Sequence, residues 1–229
     1  MAITHTKLEI MNTALRMVGS YHLESTDTTS STYEISDRAF DDSVLAVFSN
    51  NIFAYNTKHT YLTGTDITAY AAADKPNTYW NYEVSMPLDT NLFLGVTDPD
   101  GYEITDYYLN YENSLSSSSE QSSLFLKDNQ NVYVDYTFIP DLDDAAAGTH
   151  GVAISRMPSF LARLVALNMA SNMCVELSGD DARAEKLYNQ YTLALRRARV
   201  MEGRSSPAQQ YITDATSSIL SAHRNYGKI

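Results

Sequence analysis

The stretch Met157–Gly203 constrains the fold of this chain more than any other. Pro158 suits the first turn of a helix, where a missing N–H costs nothing and φ is already set. Behind it Phe160, Leu161, Leu164, Val165, Asn168 and Met169 recur at spacings of three and four, and the pattern runs on to Leu177. Ser178-Gly179 reads as a stop, and Asp180 and Asp181 as N-cap candidates that place negative charge on a new helix N-terminus. The second helix carries Ala184, Leu187, Tyr188, Tyr191, Leu195 and Ala198 on one face. Its last turn gathers Arg196, Arg197 and Arg199 against the C-terminal dipole, and Gly203 is expected to end it. The sequence therefore predicts a helical hairpin.

The N-terminal part supplies two more helices. Leu8, Met11, Leu15 and Val18 form a stripe within residues 4–20, closed by Gly19. After a loop rich in Ser, Thr and Asp, Ser31-Thr32-Tyr33-Glu34 has the form of a capping box. Phe40, Val44, Val47, Phe48 and Ile52 follow as a second stripe, with Asp37, Arg38, Asp41 and Asp42 on the wet face.

From about Tyr55 to Leu142 the pattern changes to short alternating runs between turn residues. Residues 57–62, 79–84, 91–96, 102–108, 122–126 and 132–139 are strand candidates. Asp98-Pro99-Asp100-Gly101 is a turn, with Pro presetting φ, Asp bonding its own backbone and Gly taking the left-handed dihedral. Lys127 to Asn131 reads as a second hairpin turn, and the serine-rich stretch 113–123 as an exposed loop. The fold class expected is α+β: a four-helix bundle formed by 1–54 and 152–204, an inserted antiparallel β-sandwich or barrel over 55–151, and an extended C-terminal arm over 205–229.

Charge narrows the functional classes. Net charge is −12, and residues 21–150 hold 21 acids against 4 bases, whereas residues 151–229 hold 10 bases against 6 acids. Phosphate binding needs clustered Lys and Arg, so a sequence-reading DNA-binding protein is excluded by the acidic middle. No run of about 18 apolar residues predicts a membrane span, and no apolar signal core opens the chain. The single cysteine, Cys174, leaves no internal disulfide and reads as a small buried residue of a soluble protein from a reducing compartment.

Catalytic constellations are missing from the sequence. His5, His22, His59, His150 and His223 show no metal-ligand spacing, and no phosphate loop or nucleophile elbow occurs. Neither Asp98–Gly101 nor the cluster Asp141, Asp143 and Asp144 has the ligand spacing of a calcium loop. No metal or cofactor is expected, and no enzyme. The competing readings are a glycan-cleaving virion enzyme using paired carboxylates and a carbohydrate-binding module using exposed Tyr and Trp80.

Several residues carry a resemblance. Asn12-Thr-Ala-Leu15-Arg-Met-Val18-Gly19, Met157-Pro158 with Ala170-Ser171, the acidic start Gly179-Asp180-Asp181 and the basic end Arg196-Arg197-Ala198-Arg199 stand in the order helix, helix, β insertion, hairpin, polar tail. In this the chain resembles the tail tubular protein A family, the head-to-tail adaptor or gatekeeper proteins of short-tailed bacteriophages. The likeness covers roughly 1–55 and 152–205; Ser20-Tyr21 and Ile52-Phe53 depart from the family pattern.

The resemblance implies a structural virion protein at the head–tail junction, assembled in the bacterial cytoplasm. It would form a dodecamer ring between the portal and a tail nozzle, with genomic DNA passing through unbound and no membrane contact. An acidic lumen would repel phosphates. Portal docking is then expected of Arg196, Arg197, Arg199, Tyr211, Ile212, Ile219, Leu220, Arg224 and Tyr226. The free subunit is expected to be a monomer.

Overall fold

A computed structural model describes residues 5–25, 28–49, 51–70, 76–111, 122–140 and 154–205, with side chains to Met201. The chain is mixed α+β, with four helices and two antiparallel sheets among these residues. It divides into two compact units. One takes the residues up to Tyr55 together with Pro140 and those from Ile154 onward; the other runs from Asn56 to Ile139.

The first unit is helical. Helix α1 (Lys7–Val18) opens on a capping box: the Thr6 hydroxyl accepts from the Glu9 amide, and the Glu9 carboxylate accepts from the Thr6 amide. Its buried residues are Ile10, Met11, Ala14, Leu15 and Val18, so the core stripe is broader than the heptad-like spacing predicts and leaves Leu8 only half-buried. Gly19 ends α1 at φ +85°. Helix α2 (Ser31–Phe48) is capped by Ser30, whose Oγ accepts from the Tyr33 amide at 3.1 Å. The predicted box at Ser31 is thus one residue out of register, because Ser30 offers an equivalent hydroxyl where the chain is still extended. Phe40, Val44, Val47 and Phe48 are buried as the stripe predicts, joined by Ser36, Ala39 and Ser43.

Helix α3 (Ser159–Ser178) begins after Pro158, which takes the N-cap position. It packs against α1, α2 and helix α4 (Asp181–Ser205). Between Leu161 and Cys174 only Arg163 and Asn172 are exposed, so this helix is apolar almost all round rather than striped. By length and composition α3 alone among the described helices could cross a membrane, but about two-thirds of that window is buried inside the unit, as befits a central core helix. Cys174 is buried there. Gly179 closes α3 at φ +65°, and Asp180 caps α4 by accepting from the Arg183 amide at 2.9 Å. Leu187, Tyr191 and Ala198 face inward, whereas Tyr188 is half exposed. Helix α4 continues through Gly203 to Ser205; one glycine near a helix end destabilises it by only about 1 kcal/mol relative to alanine.

The second unit holds seven strands: β1 (Thr57–Thr63), β2 (Thr65–Asp66), β3 (Tyr82–Ser85), β4 (Thr90–Thr97), β5 (Tyr107–Asn110), β6 (Ser123–Leu126) and β7 (Asn131–Phe138). They form one sheet ordered β1-β7-β4 and another ordered β2-β3-β6-β5. Each of the six strand candidates overlaps a strand, but the second hairpin is not one. Strand β6 pairs with β3 and β5 while β7 pairs with β1 and β4, so Lys127–Gln130 carries the chain from one sheet to the other. The run 102–108 is likewise split: Glu103 bridges Thr97, and only from Tyr107 does the chain join the second sheet. Strand β2 falls outside the predicted set. Strand β6 is buried along its whole length. On β7, Val132, Val134, Tyr136 and Phe138 alternate inward.

The serine-rich stretch 113–121, the acidic cluster Asp141, Asp143 and Asp144, and the whole arm after Ser205 lie outside the described residues.

Candidate functional site

The basic end of α4 is the place to test the docking expectation. Arg196 and Arg197 are exposed there. Arg199 is exposed as well and also makes a contact within the unit: its Nε and Nη2 donate to Asn51 Oδ1 at 3.0 and 2.5 Å, and the buried Asn51 in turn donates to the Val47 carbonyl at 2.6 Å. Arg199 therefore ties α4 to the end of α2. Tyr211, Ile212, Ile219, Leu220, Arg224 and Tyr226 lie outside the described residues.

The sequence reading missed the apolar side chains that accompany these arginines. Leu193, Val200 and Met201 are each more than half exposed, at spacings of seven and eight that put them on one face of α4. Between that face and α3 runs an open groove of about 390 Å³, whose lining includes Phe160, Arg163, Leu167, Leu193, Arg197 and Met201. The signal was available in the sequence: positions 193, 197, 200 and 201 repeat at helical spacing beside the buried stripe. A cationic, partly apolar groove is suited to binding a protein segment.

The β unit presents the opposite chemistry. At the tip of the turn after β4, Asp98 Oδ1 accepts from the amides of Asp100 (3.0 Å) and Tyr102 (2.8 Å). Gly101 sits at φ +89°, the conformation glycine reaches without strain, and donates to the Asp98 carbonyl at 3.0 Å. Tyr102 stands 73% exposed on this fixed loop, among Asp98, Asp100, Glu103 and Asp106.

Aromatic side chains cluster in two further places. Trp80 is only 7% exposed, packed with Ile67 and Phe125, so its indole face is closed to a sugar. Beside it Tyr79 donates to Asp106 and lies under the Lys127 ammonium; hydrogen bonding to that carboxylate raises the phenol's pKa above its ordinary value. On the outer face of the first sheet the His59 ring stacks on Tyr133 at 4.6 Å and contacts Asp135 at 2.7 Å, with Tyr61 edge-on. On the inner face, Lys58 pairs with Asp89 at 2.5 Å over the Phe138 ring. Both groups are satisfied within the sheet.

Among the described residues no three His, Cys, Asp or Glu side chains are placed to hold a metal ion. The buried Glu83 accepts from Ser123 Oγ at 2.8 Å, a hydrogen bond that accompanies its place in the sheet core. What the described surface offers is a cationic groove on one unit and an acidic aromatic tip on the other. No protein-family model and no curated protein matches the chain.

Proposed function

We propose that this chain is a head-to-tail adaptor of a short-tailed bacteriophage, a structural subunit that forms a ring between portal and tail nozzle and encloses part of the DNA channel. The observation that carries this reading is the element order, two helices, a β insertion and a helical hairpin, joined to the motifs Asn12–Gly19, Met157-Pro158 and Arg196–Arg199 within it. The four helices form a bundle, and the two sheets pack as a sandwich inserted in it. The acidic β unit suits a conduit, since carboxylates repel the phosphates that pass. Turnover is not part of this function.

Portal docking falls to Arg196, Arg197 and Arg199 with the segment that follows α4, including Tyr211, Ile212, Ile219, Leu220, Arg224 and Tyr226; Arg199 also donates to Asn51. Deleting residues 206–229 tests it. The truncated chain should keep the circular dichroism of its helices and lose retention on the purified portal of the same phage. Undiminished retention overturns the assignment.

A further inference from the structure

We propose that two copies of this chain pair through β1, antiparallel and centred on Thr60, so that the three-stranded sheet continues across a two-fold axis into the same sheet of the second copy. The inference stands apart from the ring reading, because an isologous contact joins two copies and stops. A free chain paired in this way is a dimer, not the monomer expected of a free adaptor subunit.

The sheet ordered β1-β7-β4 has two edges, and they differ. Strand β4 is blunted: its register shifts twice, and Glu103 bridges Thr97 from outside. Strand β1 pairs with β7 over seven consecutive residues without a shift, and Thr57–Thr63 holds no proline, glycine or acid. Its lysine, Lys58, is neutralised by Asp89. Little on β1 therefore discourages a further strand.

The free side of β1 is set by its backbone. The Gly64 amide donates to the Gln130 carbonyl at 2.6 Å, so Gly64 faces the β7 side. Backbone groups alternate sides along an antiparallel strand, so Leu62 and Thr60 share that side. His59, Tyr61 and Thr63 then turn their N–H and C=O groups to the open edge, and the side chains of all three are exposed.

A second copy of β1 fits this edge in register. With Thr60 opposite its own counterpart, His59 meets the other copy's Tyr61 as a hydrogen-bonded pair, and Tyr61 meets the other His59. These pairs extend across the axis the aromatic row that His59, Tyr61 and Tyr133 form within one sheet. Lys58 meets Leu62 rather than a like charge. Asp135 on β7 lies three strand spacings from its counterpart, about 14 Å, which is beyond the screening length of about 8 Å in physiological salt. The acidic unit thus brings its strand least burdened with acid to the axis.

Sedimentation of the full-length chain and one new cysteine test this. The parent should move from 25.5 kDa toward twice that mass as its concentration rises. Thr60→Cys sits on the axis in a non-hydrogen-bonded pair, where Cβ atoms approach to about 4.5 Å, and should close a disulfide with its counterpart on oxidation. Cys174 is buried and does not compete. Tyr61→Cys, set off from its counterpart by a diagonal of about 7–8 Å, should cross-link roughly tenfold less. Tyr61→Pro removes an N–H that β7 does not use, so it should keep the circular dichroism of the parent and sediment as a monomer. Tyr61→Lys, an edge charge that leaves the backbone alone, should do the same should the proline variant fail to fold. A parent that is monomeric at every concentration, or a folded Thr60→Cys chain that forms no disulfide dimer, overturns the pairing. So does cross-linking through Tyr61→Cys in place of Thr60→Cys.

Discussion

Asn12 shows how one side chain fixes the path of a loop. Its Oδ1 accepts from the Leu23 amide at 2.8 Å and its Nδ2 donates to the Leu23 carbonyl at 3.0 Å, so the amide acts as a short piece of partner strand. Leu23 is thereby held in the core at 0% exposure. Each such bond contributes about 1 kcal/mol, so Asn12→Ala should lower the denaturation free energy by about 2 kcal/mol, read from the urea midpoint. Nothing in the sequence singles out this role, because Asn12 and Leu23 are joined only by the fold. Tyr55 adds a pH dependence. Burial pushes its phenol up to about 12, above the ordinary 10.0. Its contribution is whole below about pH 10 and is lost as pH rises toward 12, because the unfolded chain gives up its proton first. Tyr55→Phe should therefore lose less stability than the parent between about pH 10 and pH 12. The ring is partly solvated, so the difference should be at most about 1 kcal/mol. Tyr107, Tyr136 and Tyr191 are raised too, chiefly by burial, and are common to both proteins.

At the scale of elements, α4 clasps α1 as well as packing on α3. The Arg183 guanidinium donates to the Met17 carbonyl through Nε at 3.1 Å and Nη2 at 2.7 Å, filling an acceptor left open in the last turn of α1. Arg183→Ala should cost about 1 kcal/mol in thermal or urea unfolding, and Arg183→Lys should not restore it, since a single ammonium cannot reproduce the two-nitrogen grip. The helices were legible because stripes, caps and stops are local: Gly19, Gly179 and Asp180 all act where the sequence puts them. What failed was non-local. The turn residues 127–131 look like those of a hairpin, yet which sheet a strand joins is decided by pairing with residues as distant as Thr57. Strand β2, at two residues, is too short to leave a pattern. The predicted stripe of α3 is half the truth, because a helix with three neighbours has no wet face to define it.

For the whole molecule, charge distribution and arrangement of surfaces make one case. The sequence alone marked the arginines of α4 but not the groove beside them, since Phe160 and Arg163 reach it from α3. It marked the Asp98–Gly101 turn as structural and gave no sign that Tyr102 crowns it. On the proposed reading, a ring that encloses DNA must not hold it, and the acidic β unit repels the phosphates that pass. Electron microscopy of the purified chain mixed with the portal protein that the proposed function assigns to it puts that reading to the most direct test. The account predicts a closed ring, twelve-fold as in the family it resembles, seated beneath the portal around an open channel. Single copies scattered on the portal, or no complex at all, would contradict it.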